Sequence, residues 1–212
     1  MDALKPSTNS PFSVFLPLLI AGVLLSGSAL AAGSAEAGKA KSVTCSACHG
    51  MDGNSLNPEW PTIAGQHESY LINALNSFKS GARQNVLMSG MAMPLSAEDI
   101  QDLAAYFAEQ KPAPGVADPA LATAGERLYR GGNKDTGVPA CLACHGPTGQ
   151  GNPVASWPSV AGQHAAYATA QLKAYRAKER STDGDTQIMR NVAAQLTDDE
   201  IKSVTSYIQG LR

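Results

Sequence analysis

The sequence predicts an all-α protein made of two tandem copies of one small helical domain. Three observations carry this reading. Apolar residues recur at helical spacing, as in Tyr70, Leu71, Ala74, Leu75 and Phe78, and again in Ile100, Leu103, Ala104 and Phe107. No convincing run of alternating strand pattern accompanies them. The second half of the chain also repeats the first.

The repeat is explicit. Cys45-Ser46-Ala47-Cys48-His49-Gly50 returns as Cys141-Leu142-Ala143-Cys144-His145-Gly146. Trp60-Pro61-Thr62-Ile63-Ala64-Gly65-Gln66-His67 returns as Trp157-Pro158-Ser159-Val160-Ala161-Gly162-Gln163-His164. Tyr70, Leu75, Phe78 and Arg83 match Tyr167, Leu172, Tyr175 and Arg180, and Leu95, Ile100 and Tyr106 match Leu196, Ile201 and Tyr207. The offset drifts from 96 through 97 to 101, as insertions in loops would produce. Ser96 is the expected N-cap of the last helix in the first half. Thr197 with Glu200 makes a capping box at the matching place. Between the copies, Lys111 to Pro119 is rich in Pro and Gly and has no helical periodicity, so it reads as a short semi-rigid strap.

The first residues read as an export signal. Lys5 precedes an apolar stretch from Val14 to Leu25 and the small-residue site Ala29-Leu30-Ala31. The competing reading is an uncleaved anchor, since Val14 to Ala32 is almost long enough to span a bilayer. The expected organisation is a signal peptide at 1–31, a first domain at 32–112, a linker at 113–118 and a second domain at 119–212. A net charge of -2 gives no basic patch for nucleic acid. Aromatics are 6% of the chain, which is thin for two small cores and leaves room for a non-protein filler.

Export makes disulfides the default expectation for the four cysteines. The pattern around them points elsewhere, because Cys-x-x-Cys-His is the attachment sequence of c-type haem. On a helical turn, positions i, i+3 and i+4 share one side. Two thiols can then bond the porphyrin's vinyl groups while the imidazole reaches the iron. A zinc site would need the distant pairs to converge. A thioredoxin-type motif would stand near a βαβ pattern, and two ordinary disulfides remain an alternative by counting. Two matches at equivalent places in a repeat favour two covalently bound haem c groups, on Cys45, Cys48 and His49 and on Cys141, Cys144 and His145.

Met88, Met91, Met93, Met189, His67 and His164 are the candidates for the second axial ligand. Met88 precedes Leu95 by seven and Met189 precedes Leu196 by seven, whereas Met91 and Met93 have no partner at their spacing. The symmetric choice is Met88 and Met189, both expected in a loop before the final helix. Met91 or Met93 better fits a gap-filling core role. His67 and His164 are also symmetric, but stand at an expected helix start where polar residues cap or face solvent.

With these residues in place, the sequence resembles the dihaem cytochrome c4 family over nearly all of the chain beyond the signal. The resemblance rests on both Cys-x-x-Cys-His-Gly motifs, the Pro-x-Ile/Val-Ala-Gly-Gln segments, Asp183-Gly184-Asp185-Thr186 to Met189, and Ser206-Tyr207-Ile208-Gln209-Gly210-Leu211. It implies two class I cytochrome c domains related by pseudo-twofold symmetry, His/Met ligation in both, and haem propionate edges facing the interface. It also implies a periplasmic electron carrier, often loosely held at the inner membrane, feeding a haem-copper terminal oxidase. The donor would be a quinol-oxidising complex or another cytochrome. Ile63 and Val160 stand where the family often has Leu. Arg83 to Met88 is also a shorter loop than Arg180 to Met189, a difference expected to affect haem exposure.

A six-coordinate His/Met iron has no open position, so outer-sphere electron transfer is expected rather than enzymatic turnover. Met favours Fe(II) and raises the potential. The rival is a dihaem redox enzyme, peroxidase-like or acting on sulfur compounds, with one haem open to substrate; a third reading is a gas-sensing module. Arg83 and Arg180 are candidates to pair with propionates, against the more common solvated arginine. Trp60 and Trp157 either line the haem edge or pack as core aromatics, and Tyr106 and Tyr207 read as packing residues. Pro61 and Pro158 are placed to offer a carbonyl to the neighbouring histidine. A domain of roughly 80 residues buries too little to be comfortably stable unaided. Replacing both cysteines of one motif should therefore leave that half largely unfolded by half-resolved NMR, and native helicity there without haem would refute this.

Overall fold

Side-chain caps set half of the helix starts among the described residues. The computed structural model describes residues 1–3 and 33–212, so the expected signal lies, beyond its first three residues, outside the described part. Ser34 caps α1 (Ala35–Lys41), followed by α2 (Val43–His49) and α3 (Glu68–Ser80). The Asn85 side chain accepts from the Met88 N–H to start α4 (Val86–Ala92). Ser96 and Asp99 form a full capping box on α5 (Ala97–Ala108).

The second half repeats the set. Asp118 caps α6 (Pro119–Gly131), whose proline lies in the first turn, where its missing N–H costs nothing. Then come α7 (Leu142–His145), α8 (Ala165–Arg176), α9 (Ile188–Ala194) and α10 (Asp198–Gly210), the last with the Thr197–Glu200 capping box. Isolated bridges at Asn133–Val138 and Asn152–Trp157 are the only extended pairings among the described residues.

In each half the first helix packs on the last, and the third packs on both the fourth and the last. Leu71, Leu103, Ala104 and Phe107 make the first core. Leu128, Tyr129, Val138, Leu196, Ile201, Val204, Ile208 and Leu211 make the second. Close approach of the first and last helices depends on a glycine in each half. A Cβ on Gly38 would stand 1.9 Å from the Asp102 carbonyl oxygen, and one on Gly125 would stand 2.2 Å from that of Ser203. Lys41 Nζ seals the first crossing with bonds of 2.6 Å to Asp102 and 2.7 Å to Asp99.

The strap is pinned to both halves. Residues 111–118 have no regular structure. Asn54 holds the Lys111 carbonyl and the Ala113 N–H, while Gln209 and Ser206 hold the Val116 carbonyl and the Asp118 N–H.

Met88 and Met189 lie in short helices, α4 and α9, not in the expected loops. Only Ala92 and Ala193 of these helices are buried, so no apolar stripe announced them. Met91 and Met93, expected to fill core, are 51% and 64% exposed.

Gly38→Ala and Gly125→Ala should each lower stability by about 2 kcal/mol or more, since backbone rather than a movable side chain is in the way. Gly131→Ala, with open space in the same helix as Gly125, should cost nothing by thermal denaturation. The Lys41 cluster predicts a pH window. The Lys41 hydrogen bonds hold the Asp99 and Asp102 carboxyls below the usual range, and the same bonds raise the Lys41 ammonium. Depressed carboxyls stabilise above their unfolded pKa, about 4, and lose that contribution as pH falls. The raised ammonium stabilises below about 10.4 and loses its contribution at still higher pH. Lys41→Met should therefore flatten both limbs of the melting-temperature profile outside this window.

Candidate haem centres

In each half the cysteine motif winds onto a helix that ends at its histidine. Cys45, Cys48 and His49 lie on α2, while Cys141 caps α7 and Cys144 and His145 lie within it. Gly50 and Gly146 follow with φ of 80° and 76°, a conformation strained for any side chain. This accounts for the glycine after each histidine.

Each imidazole is oriented by a proline carbonyl. His49 Nδ1 lies 2.8 Å from the Pro61 oxygen, and His145 Nδ1 lies 3.0 Å from that of Pro158. A carbonyl only accepts, so Nδ1 carries the proton and the Nε2 lone pair is left for a metal. Burial pulls both imidazole pKa values down against a smaller opposing effect of the carbonyl bond, which keeps both rings in the neutral, ligating form.

The cysteine rivals fit poorly. All four thiols are free. Burial pushes the Cys141 thiol up to about 11 and Cys45 in the same direction, whereas a thioredoxin-type thiol is activated by a lowered pKa. Among the described residues no three or more His, Cys, Asp or Glu side chains gather into a metal-holding group, so the two pairs do not converge as zinc would require.

Met88 and Met189 are half-buried at matching places. Different devices hold their helices. Asn85 caps α4, whereas the longer loop before α9 is fixed by Asp183, which binds the Arg190 backbone at 2.9 Å and its Nε at 2.7 Å. His67 and His164 take neither of the roles expected of a helix-start residue. Neither makes a side-chain cap; instead their Nε2 atoms lie 2.6 Å and 2.8 Å from the Gln150 and Ser55 carbonyls of the opposite half.

The halves meet through crossed polar contacts. Gln66 brackets the Ser159 backbone, accepting from its N–H at 2.9 Å and donating to its carbonyl at 2.9 Å. Gln163 does the same to Thr62, at 3.1 Å and 2.9 Å. Arg83 donates to the Tyr167 hydroxyl and to Gln171, while Arg180 donates to the Tyr70 hydroxyl and also to Gln171. Each guanidinium also stacks on an aromatic ring of its own half, Arg83 on Phe78 at 4.5 Å and Arg180 on Tyr175 at 4.6 Å.

The more common expectation of solvated arginines is thus overturned, since Arg83 and Arg180 are 8% and 7% exposed. Tyr70 and Tyr167 stand out in the sequence only as repeat positions, and Gln171, aligned with Ala74, leaves no signal in the repeat. Burial alone would push the Tyr70 phenol up, but the Arg180 and Arg83 charges beside it outweigh that and lower its pKa. Trp60 and Trp157 are half-buried and belong to neither core cluster. Tyr106 donates to the Met51 carbonyl at 3.0 Å, and Tyr207 packs on Tyr129 with ring centroids 5.5 Å apart.

These residues fit haem c. Free thiols on one helical turn precede a neutral imidazole whose Nε2 is left for a metal. Among the described residues neither buried guanidinium has a carboxylate partner, a setting that suits a ligand bringing its own acids; Tyr167 and Gln171 hold Arg83, and Tyr70, Gln171 and Thr182 hold Arg180.

Comparison with known proteins agrees. The family model "Cytochrome c" matches residues 35–111 and 122–212. Cytochrome c4 of Stutzerimonas stutzeri is 50% identical over 196 residues, covering 88% of this chain and 93% of that protein. The crystal structure of reduced recombinant cytochrome c4 from Pseudomonas stutzeri superposes with a TM-score of 0.83 at 50% identity, covering 85% of this chain and all of that one. A "thiosulfate dehydrogenase electron acceptor" of Thiomonas intermedia is 41% identical over 176 residues, covering 79% of this chain and 78% of that protein. The chain belongs to the dihaem cytochrome c4 family, an electron-transfer protein of two pseudo-twofold-related class I cytochrome c domains with a covalently bound haem c in each.

Proposed function

We propose that the protein is a periplasmic respiratory electron carrier whose two irons are both closed by His/Met ligation. Cys45 and Cys48 would anchor one haem and Cys141 and Cys144 the other, with His49 and Met88, and His145 and Met189, as the residues that would ligate the irons. Residues 32–112 and 119–212 are the two domains on this reading, joined by 113–118 and exported by the segment 1–31. The observation that carries it is the matched pair of histidines, each held by a proline carbonyl and each accompanied by a half-buried methionine at the same place in the repeat.

Bound haem supplies an iron that alternates between Fe(III) and Fe(II). The residues govern how little else changes. Pro61 and Pro158 hold the imidazoles in one tautomer and one orientation in either oxidation state. Met88 and Met189 would supply the second ligand to each iron, which would exclude substrate and favour Fe(II). Arg83 and Arg180 offer charge-assisted bonds to haem carboxylates at the junction of the halves, with Tyr70 and Tyr167 beside them.

The downstream partner on this reading is a haem-copper terminal oxidase, supplied from a quinol-oxidising complex or donor cytochrome, with peripheral contact at the inner membrane. Among the described residues no helix is long and apolar enough to cross a membrane. A second reading of the donor is favoured by the Thiomonas relative, whose name makes it an acceptor from thiosulfate dehydrogenase. Stopped-flow reduction of the ferric protein by each class of donor separates the two.

The ligand set is tested spectroscopically. Two low-spin centres, each with a near-infrared Met-to-Fe(III) band, are expected, and Met88→Ala and Met189→Ala should each remove about half of that band. An unchanged band would reject that methionine. A high-spin centre that readily binds carbon monoxide in the unmutated protein would instead favour a dihaem enzyme with one open haem.

A further inference from the structure

The peptide unit that orients each histidine is itself held by the other half of the molecule. The Pro61 carbonyl accepts from His49 Nδ1 at 2.8 Å, and the N–H of that same peptide unit belongs to Thr62 and donates to Gln163 Oε1 at 3.1 Å. In the second half, the Pro158 carbonyl accepts from His145 Nδ1 at 3.0 Å. The N–H of that unit, from Ser159, donates to Gln66 Oε1 at 2.9 Å. The amide orientation is fixed, because each glutamine also donates through Nε2 to the carbonyl of the same residue at 2.9 Å. Each Oε1 accepts a second bond, from the backbone N–H of His164 or His67 at 3.0 Å, which locks the side chain in place. Gln66 is 7% exposed, so solvent does not compete strongly for it.

We infer that Gln163 tunes the His49 imidazole and Gln66 tunes the His145 imidazole, so that each half adjusts the axial histidine of the other. The inference rests on the reading of His49 and His145 as iron ligands. Its physical basis is polarisation along a hydrogen-bonded chain. An acceptor on a peptide N–H makes the carbonyl of that unit a stronger acceptor in turn. A stronger acceptor at Nδ1 gives the ring more anionic character and makes Nε2 a better donor to Fe(III). Each glutamine therefore lowers the potential of the haem in the opposite half. Both are positioning residues, since neither touches a haem ligand directly. The crossed arrangement separates this role from a general contribution to the interface.

The experiment uses the full-length protein with both haems, in an NMR-followed redox titration that resolves the two potentials by their haem methyl signals. Gln163→Leu should raise the first-half potential and leave the second where it was; Gln66→Leu should do the reverse. The hyperfine-shifted ring resonances of the ferric protein should move for His49 alone in the first variant and for His145 alone in the second. Ser69→Ala is the control, because it removes a 2.7 Å interface bond to the Pro153 carbonyl that touches neither peptide unit. It should shift neither potential.

Unmoved potentials in the glutamine variants, movement of both together, or the crossed pattern in Ser69→Ala would each overturn the inference while leaving the ligands intact. Absence of the His49 and His145 ring signals from the shifted spectrum of the unmutated protein would instead remove the ligand reading, and the relay with it.

Discussion

A backbone carbonyl can only accept a hydrogen bond, and in this protein that asymmetry is imposed on the nitrogen opposite the one available to iron. Pro61 and Pro158 fix the proton on Nδ1 of His49 and His145. The remaining architecture supports those two bonds. The glycines after the histidines turn the chain back, and the Trp-Pro segments carry the acceptors alongside. The Ala-Gly-Gln segments then lead into α3 and α8, where their glutamines grip the opposite half. On the proposed ligation, a neutral histidine with one committed nitrogen would be a rigid ligand, and rigidity would keep reorganisation small when an electron arrives or leaves.

Much of this was legible in the sequence because the repeat acted as a second observation of every motif. The helical class, the capping boxes at Ser96 and Thr197, the haem motifs and the proline acceptors all follow from local chemistry that needs no partner. The short helices carrying Met88 and Met189 were not legible, because each buries only an alanine. Arg83 and Arg180 read as propionate partners or, more commonly, solvated side chains, and His67 and His164 as capping or solvent-facing, for a related reason. Each has a partner 83 to 110 residues away in sequence, in the other half, and periodicity within one segment cannot report on such a contact.

The two halves are similar without being equivalent. Gln171 serves both arginines, but it is supplied by the second half alone. The Met189 helix is anchored by the Asp183–Arg190 ion pair, whose carboxylate is 4% exposed, whereas the Met88 helix depends on a neutral asparagine cap. Val86 and Leu87 on α4 are 92% and 65% exposed, against 40% for Ile188 on α9. Such differences place the two haem motifs in unlike surroundings, a condition that a directional relay between them would need.

The pinned strap has a consequence for the interface it spans. Crossed contacts to backbone carbonyls and amides are individually weak in water, typically about 1 kcal/mol each. Two free domains joined only by such contacts would come apart on dilution. A short connector instead holds each half at an effective concentration on the order of millimolar relative to the other. Association is then independent of how much protein the compartment contains, and a polar seam can do what separate subunits would need a large apolar surface to achieve. The surface left over is free to be polar, and the molecule avoids the adhesive patch that a dissociable dimer of the same domains would have to carry.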